Sequence, residues 1–225
     1  MITDLIAQGA WKLMQTLEAS GGFRKAEADG RLAEALQRSL AAREKAVDLR
    51  RRILTGTNQY ADPSERALGL IEPLCLARER RGAHSYESLR LRTERHAANT
   101  GRVPCVLLAE FGDVRMRSAR SNFAANFLAC AGFDIVTQRF ENADEIATSH
   151  ADLIVLCSSD PEYLGLATEL AARLKKLGRK TPVIVAGNPE TAEELRAAGI
   201  ADFIHIRSNP IELLTQWQHR LGIKD

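Results

Sequence analysis

The chain has 225 residues, of which 31 are Lys or Arg and 29 are Asp or Glu, so its formal net charge at pH 7 is +2. This near balance gives no support to nucleic-acid binding, and aromatic residues, at 5%, are too few to suggest base stacking. No apolar run approaches the roughly 20 residues that a membrane-spanning helix needs, and the N-terminus lacks the pattern of a signal peptide. We therefore expect a cytoplasmic protein that binds neither membrane nor nucleic acid.

Two amphipathic helices are predicted in the N-terminal part of the chain. Apolar residues recur at spacings of three and four from Ile2 to Leu17, and Ser20-Gly21-Gly22 is expected to end this helix. A second helix is predicted from about Arg31 to Ile53, with Arg50-Arg51-Arg52 as its cation-rich last turn. The residues expected to face inward on it are Leu32, Leu36, Leu40, Ala46 and Leu49.

Residues 61–101 are predicted to form a linker. They contain the charge run Arg78-Glu79-Arg80-Arg81, a single helical stretch from Tyr86 to about Ala97, and little apolar density. The four cysteines are widely spaced, and three stand in apolar strand or helix contexts, which favours buried free thiols over disulfides or a metal site. They are Cys75, Cys105, Cys130 and Cys157.

After Gly101 the pattern changes to short apolar runs, each followed by a helical pattern. The runs are Val103–Ala109, Phe133–Thr137, Ala151–Cys157, Pro182–Ala186 and Phe203–Ile206. Such an alternation predicts an α/β fold with a flavodoxin-like, doubly wound, five-stranded parallel sheet in the order 2-1-3-4-5. Three of the strand-to-helix turns offer a capping side chain followed by proline at the first helical position. These are Asp160-Pro161, Asn188-Pro189 and Asn209-Pro210.

In an open sheet of this kind, ligands bind beyond the carboxyl ends of the strands, where the strand order reverses. The turn after the first strand carries Arg115, Arg117 and Arg120, with no histidine, cysteine or phosphate-binding glycine loop. A phosphoacceptor receiver needs an aspartate at the end of the third strand, where Leu156-Cys157 stand instead. The glycine patterns of flavin and dinucleotide sites are also missing, so these three functions are not supported.

Six phrases carry a resemblance to the methylmalonyl-CoA mutases. In residues 1–60 they are Gly9-Ala10-Trp11-Lys12-Leu13, Glu18-Ala19-Ser20-Gly21-Gly22 and Gly56-Thr57-Asn58. Later come Ala131-Gly132-Phe133-Asp134-Ile135, Leu174-Lys175-Lys176-Leu177-Gly178 and Ala198-Gly199-Ile200-Ala201. Residues 102–225 resemble the cobalamin-binding domain of these enzymes, and residues 1–60 resemble the end of their substrate barrel. The resemblance implies that most of that barrel would precede residue 1, so we expect the chain to correspond to a C-terminal portion.

The cobalamin motif of the family does not match this sequence. Members that bind cobalamin have D-x-H-x-x-G after the first strand, with the histidine as cobalt ligand. When Gly132-Phe133-Asp134 is aligned with the corresponding residues of the family, Arg115, Arg117 and Arg120 occupy the aspartate, histidine and glycine positions of this motif. Arginine stays protonated and has no lone pair for a metal. Ser158 and Gly187 fall in the two other cofactor loops, so the resemblance implies a degenerate site of these five residues, with no metal ligand and no catalytic residue.

An intact fold without the ligand triad resembles the small, non-catalytic subunit of heterodimeric bacterial mutases. The resemblance implies a structural role beside a large subunit that holds adenosylcobalamin and interconverts methylmalonyl-CoA and succinyl-CoA. By this reading the chain belongs to an isomerase complex, binds no cofactor and is not catalytic alone. Two alternatives stay open: a cobalamin-binding or carrier module that uses a non-histidine ligand or a base-on mode, and an anion-binding domain that uses the arginine cluster.

Overall fold

The computed structural model describes residues 1–66, 69 and 81–224, which form two compact units, Met1–Ala46 and Val47–Asp225. Cys75 and most of the charge run that starts at Arg78 lie outside the described residues. No helix within the described part of the chain has the length and apolar character needed to cross a bilayer.

The first unit consists of helices. They are α1 (Ile2–Ala19), α2 (Gly22–Ala28) and most of α3 (Arg31–Asp48). The first predicted helix is confirmed, and Gly21, with φ of +104°, lies in the turn that follows it. No residue of α1 is buried, and Leu36 on α3 is 63% exposed, so the expectation that Leu36 faces inward is wrong. Periodicity identifies the apolar face of a helix, but it does not identify what covers that face.

Helix α3 ends at Asp48, earlier than predicted, and Arg50–Arg52 lie beyond it rather than in its last turn. The cause is the side chain of Asn58, which is fully buried. Its amide nitrogen donates to the carbonyl of Val47 at 3.0 Å, and its Oδ1 accepts from the N–H of Leu54 at 2.8 Å. These bonds hold the chain in a compact turn that replaces the predicted last turn of the helix.

The second unit contains a parallel sheet in the order β2-β1-β3-β4-β5, which confirms the predicted fold class. The strands are β1 (Cys105–Glu110), β2 (Asp134–Arg139), β3 (Leu153–Cys157), β4 (Val183–Ala186) and β5 (Asp202–Ile204). Every residue of β3 and β4 is buried, as expected for strands that are covered on both faces. In contrast, β2 is an edge strand and most of its residues are exposed.

Among the described residues, six α-helices accompany the sheet. They are α4 (His84–Thr100), α5 (Val114–Leu128), α6 (Ala143–Thr148), α7 (Asp160–Lys176), α8 (Ala192–Ala197) and α9 (Pro210–Arg220). The sheet has an apolar core on each face. One core includes Phe127 and Trp217, and the second core includes Tyr163 and Leu170. Cys130 and Cys157 are buried thiols, while Cys105 is half-buried.

Of the three predicted proline starts, the one at Pro210 is confirmed as the first residue of α9, but the Asn209 side chain before it makes no capping hydrogen bond, so that part of the prediction is wrong. The other two are wrong. Helix α7 begins at Asp160 itself, because Ser159 and Glu162 form the capping box that starts the helix one residue earlier than predicted. Helix α8 begins only at Ala192, since the chain makes a separate turn in which the N–H of Ala192 donates to the carbonyl of Pro189.

Candidate functional site

The candidate site lies where β1, β3 and β4 end. After β1, Asp113 precedes α5 and its Oδ1 accepts from the N–H of Met116 at 2.8 Å, an ordinary N-terminal cap. Gly112, in the same turn, has φ of +69°, a left-handed conformation that favours glycine. The cap and the glycine together bring the first turns of α5, with their arginines, to the edge of the sheet.

Arg117 is buried beside this turn, with only 8% of its surface exposed. Its Nη1 donates to the carbonyl oxygen of Gly112 at 3.0 Å. Its Nε is buried and has no hydrogen-bond partner among the described residues. The charge of Arg117 is therefore bound to the backbone of its own turn rather than displayed to solvent.

Arg120 connects the turn after β3 with the turn after β4. Its Nη2 forms an ion pair with Oδ1 of Asp160 at 2.9 Å. A Cβ atom added to Gly187 would lie 3.2 Å from both Cζ and Nη1 of Arg120, so the guanidinium lies directly against this buried glycine. The Arg120 side chain thus occupies the space between the two turns.

Glu162, in the first turn of α7, binds four neighbouring groups. Its Oε2 lies 2.6 Å from the Ser158 hydroxyl and 2.5 Å from the Ser159 hydroxyl, and it accepts the N–H groups of Ser159 at 3.1 Å and Asp113 at 3.3 Å. Burial opposes ionisation of this carboxyl, but the hydrogen bonds outweigh it and lower the pKa of Glu162 to about 2. Glu162 is therefore a permanent anion at neutral pH, and it joins the turn after β3 to the turn after β1.

Reactive side chains near the strand ends are held in unreactive states. Burial, and then the charge of Glu110, raises the pKa of the Cys157 thiol, so this cysteine is not a nucleophile at neutral pH. Glu110 itself accepts a hydrogen bond from the Ser121 hydroxyl. The Tyr163 hydroxyl donates to the carbonyl of Ala186 at 2.7 Å. Within the described residues, no cluster of His, Cys, Asp or Glu could hold a metal ion.

Comparison with known proteins identifies the family. Residues 1–105 match a family model described as methylmalonyl-CoA mutase. Over 99% of its length, the chain is 34% identical to the methylmalonyl-CoA mutase small subunit of Porphyromonas gingivalis, of which the match covers 38%. The chain is a homologue of methylmalonyl-CoA mutase small subunits. It is also 32% identical to the probable small subunit of Mycobacterium tuberculosis and 31% identical to the small subunit of Streptomyces virginiae, each over 36% of the relative.

This homologue thus spans little more than a third of the length of the relatives that it matches. The matches themselves cover 98% to 99% of the present chain. The likeness therefore includes both the N-terminal helices and the α/β unit.

All five residues predicted for the degenerate site follow strand ends in this small-subunit homologue. Arg117, Arg120, Ser158 and Gly187 each contact protein groups rather than an open cleft. Arg115 is exposed and makes no hydrogen bond or ion pair with the described residues. The sequence prediction missed Glu162. The available signal was Ser159-Asp160-Pro161-Glu162, the S-x-x-E pattern that marks a helix start.

We expect Gly112→Ala to lower the free energy of unfolding by about 1–2 kcal/mol. Alanine is strained at the φ of +69°, and its Cβ would overlap the Glu162 carboxylate. Urea denaturation of the variant and of Gly165→Ala measures the effect. Gly165 lies inside α7 with open space around it, so alanine there is expected to stabilise by about 0.5–1 kcal/mol. Equal effects of both substitutions would contradict the role assigned to Gly112.

Proposed function

We propose that this chain is the C-terminal portion of a methylmalonyl-CoA mutase small subunit, has lost its own cobalamin site and is not catalytic alone. It supports a large subunit that holds adenosylcobalamin and interconverts methylmalonyl-CoA and succinyl-CoA. The observation that carries this proposal is the position of Arg120, whose guanidinium packs against Gly187 and pairs with Asp160. A loop that receives the cofactor in cobalamin-binding relatives is covered here by a side chain of the protein itself.

The residues present do not fit cobalamin. Arg117, at the position of the cobalt-binding histidine, is a permanent cation without a lone pair, and it donates to the carbonyl of Gly112. Arg120, at the position of the motif glycine, would have to leave both Gly187 and Asp160 to make room for a nucleotide tail. The described strand ends therefore offer neither a metal ligand at the histidine position nor space for the cofactor at the glycine position.

The anion-binding alternative loses support from the same contacts. Arg117 and Arg120 already bind a backbone carbonyl and a carboxylate, and the exposed Arg115 does not join them. The turn already has two carboxylates, that of its own Asp113, which accepts the N–H of Met116, and that of Glu162, whose Oε2 accepts the N–H of Asp113. An external anion would have to compete with a carboxylate that the fold supplies.

A partner polypeptide is supported by the relatives and by the first unit. A protein named a small subunit implies a large one. Helix α1 buries none of its residues, although six large apolar side chains on it are more than half exposed. They are Ile2, Leu5, Ile6, Trp11, Leu13 and Met14. Exposed apolar surface of this extent is typical of a protein interface, so we propose that the N-terminal helices contact the rest of the mutase.

Titration with adenosylcobalamin tests the proposal. We expect its visible spectrum to stay unchanged at high concentrations of this chain, because neither a cobalt ligand nor a slot for the nucleotide is available. A large-subunit preparation in the same buffer serves as the positive control for the spectral change. In parallel, the chain is expected to co-purify with the large subunit. A bound cofactor with its base displaced would favour the cobalamin-module alternative and overturn the proposed loss of the site.

A further inference from the structure

Two adjoining cavities in the second unit share Phe123 and Asn126 of α5 as walls, and we call them together the α5 groove. The larger, about 750 Å³, is also lined by residues that include Tyr60, Pro63, Asn122, Ile135 and Thr137. The smaller, about 270 Å³, is also lined by residues that include Leu49, Arg50, Gln59, His205 and Ile206. None of the site residues discussed above lines either cavity, so the α5 groove is a separate feature of the fold.

The size and walls of the α5 groove suit a small organic molecule. Sites for such ligands usually enclose about 300–1,000 Å³ and combine apolar walls with a few fixed polar groups. Here Phe123 and Tyr60 supply aromatic surface. Oδ1 of Asn126 accepts the N–H of Tyr60 at 2.7 Å, which fixes the amide and leaves its NH₂ group to donate. The walls therefore favour a flat apolar body with a hydrogen-bonding edge.

The charge in the groove is positive. No carboxylate from the described residues lines either cavity. Arg50 is half-buried, and within the described ranges its guanidinium has neither a hydrogen-bond partner nor an ion pair. Burial, and then the charge of Arg207, lowers the pKa of His205, so this wall residue is neutral at pH 7. A half-buried cation without a counterion attracts an anionic group.

Backbone strain points to the same place. Arg50 and Tyr60 are the two non-glycine residues with positive φ in the described chain, each at +56°, and each lines one of the two cavities. A left-handed conformation is costly for a bulky residue and is found preferentially at ligand clamps and active sites. Here the two residues in this conformation are an aromatic and a basic residue that line one groove.

We propose that the α5 groove binds an amphipathic organic anion, whose flat apolar body packs against Phe123 and Tyr60 and whose acidic group pairs with Arg50. This site is independent of the proposed mutase role, because it uses neither the strand ends of the candidate site nor the first unit. It assigns the strained turns at Arg50 and Tyr60 a binding function.

The test uses naphthoate as the anion and naphthamide as its uncharged counterpart, each titrated into the isotope-labelled full chain while backbone amide NMR shifts are recorded. We expect naphthoate to shift the amides around Phe123 and Asn126, and naphthamide to bind at least about tenfold more weakly. The variant Arg50→Gln keeps most of the side-chain length and removes the charge. Arg51→Gln is the matched control, because Arg51 is an exposed neighbour that lines neither cavity.

A loss of naphthoate affinity of about tenfold or more in Arg50→Gln, with Arg51→Gln unchanged, supports the site. Three results would overturn it: equal affinity for naphthoate and naphthamide, equal effects of the two substitutions, or amide shifts that map away from α5. The NMR spectra of both variants also show whether each is folded, so a folding defect is not mistaken for a lost site.

Discussion

Replacing Glu162 with alanine is expected to lower the free energy of unfolding at pH 7 by about 2–3 kcal/mol. The carboxylate accepts hydrogen bonds from Ser158, Ser159 and the N–H of Asp113. Alanine leaves the Ser159 and Asp113 donors without this acceptor, while the Ser158 hydroxyl keeps the carbonyl of Phe111 at 2.9 Å. Urea denaturation measures the loss. Glu169→Ala is the matched control, because Glu169 is on the same helix, is half exposed and lies 3.9 Å from Arg173. A loss of comparable size in that control would contradict the assignment.

The same carboxylate predicts a pH dependence with a defined sign. The pKa of Glu162 in the folded state, about 2, lies below its ordinary value of 4.5. Its stabilising contribution is therefore complete above pH 4.5 and is lost as the pH falls towards 2. Glu162→Gln cannot ionise, so the difference in stability between wild type and variant is expected to shrink over that range. A difference that stays constant from neutral pH to about pH 2 would show that ionised Glu162 does not stabilise the turns.

The sheet could be predicted from the sequence because local patterns determine it. Buried parallel strands require continuous apolar runs, and short helical crossovers have one handedness, so the number and direction of the strands follow from the sequence. The order 2-1-3-4-5, expected from the flavodoxin-like fold class, is confirmed by the structure. The end of α3 could not be predicted in the same way, because it depends on Asn58, which bonds to Val47 from eleven positions away. The division of the sequence at residues 60 and 101 stays a prediction.

The candidate site was predictable in position but not in its contacts. The predicted residues Arg115, Arg117, Arg120, Ser158 and Gly187 all follow strand ends in the structure, while their role as a degenerate cofactor site stays a prediction. The pairing of Arg120 with a residue forty positions later depends on the packing of α5 against the turn after β3. Arg117 bonds locally to the carbonyl of Gly112, and Arg120 makes this long-range ion pair, so two side chains that suggested an anion clamp bind groups of their own fold.

Arg90→Met is expected to lower the free energy of unfolding by about 2–4 kcal/mol. Arg90 is 6% exposed, and its Nη2 donates to the carbonyls of Asp62 at 2.7 Å and Ala129 at 3.2 Å. Its Nη1 approaches the Glu65 carbonyl oxygen at 3.3 Å. Methionine preserves the apolar stem, which packs beside Gly132, but provides no donor for these carbonyls.

Arg102→Met is the matched control for this substitution. Arg102 is 66% exposed and pairs with Asp152 at 2.8 Å, so its loss is expected to cost less than about 1 kcal/mol. Chemical denaturation of both variants compares their free energies of unfolding. Similar losses would show that Arg90 does not hold residues 62–65 in place. Pro63, between the Asp62 and Glu65 carbonyls that Arg90 binds, lines the α5 groove. Arg90→Met is therefore also expected to weaken naphthoate binding, whereas Arg102→Met leaves it unchanged. One buried guanidinium thus supports both the stability of the unit and the shape of the groove.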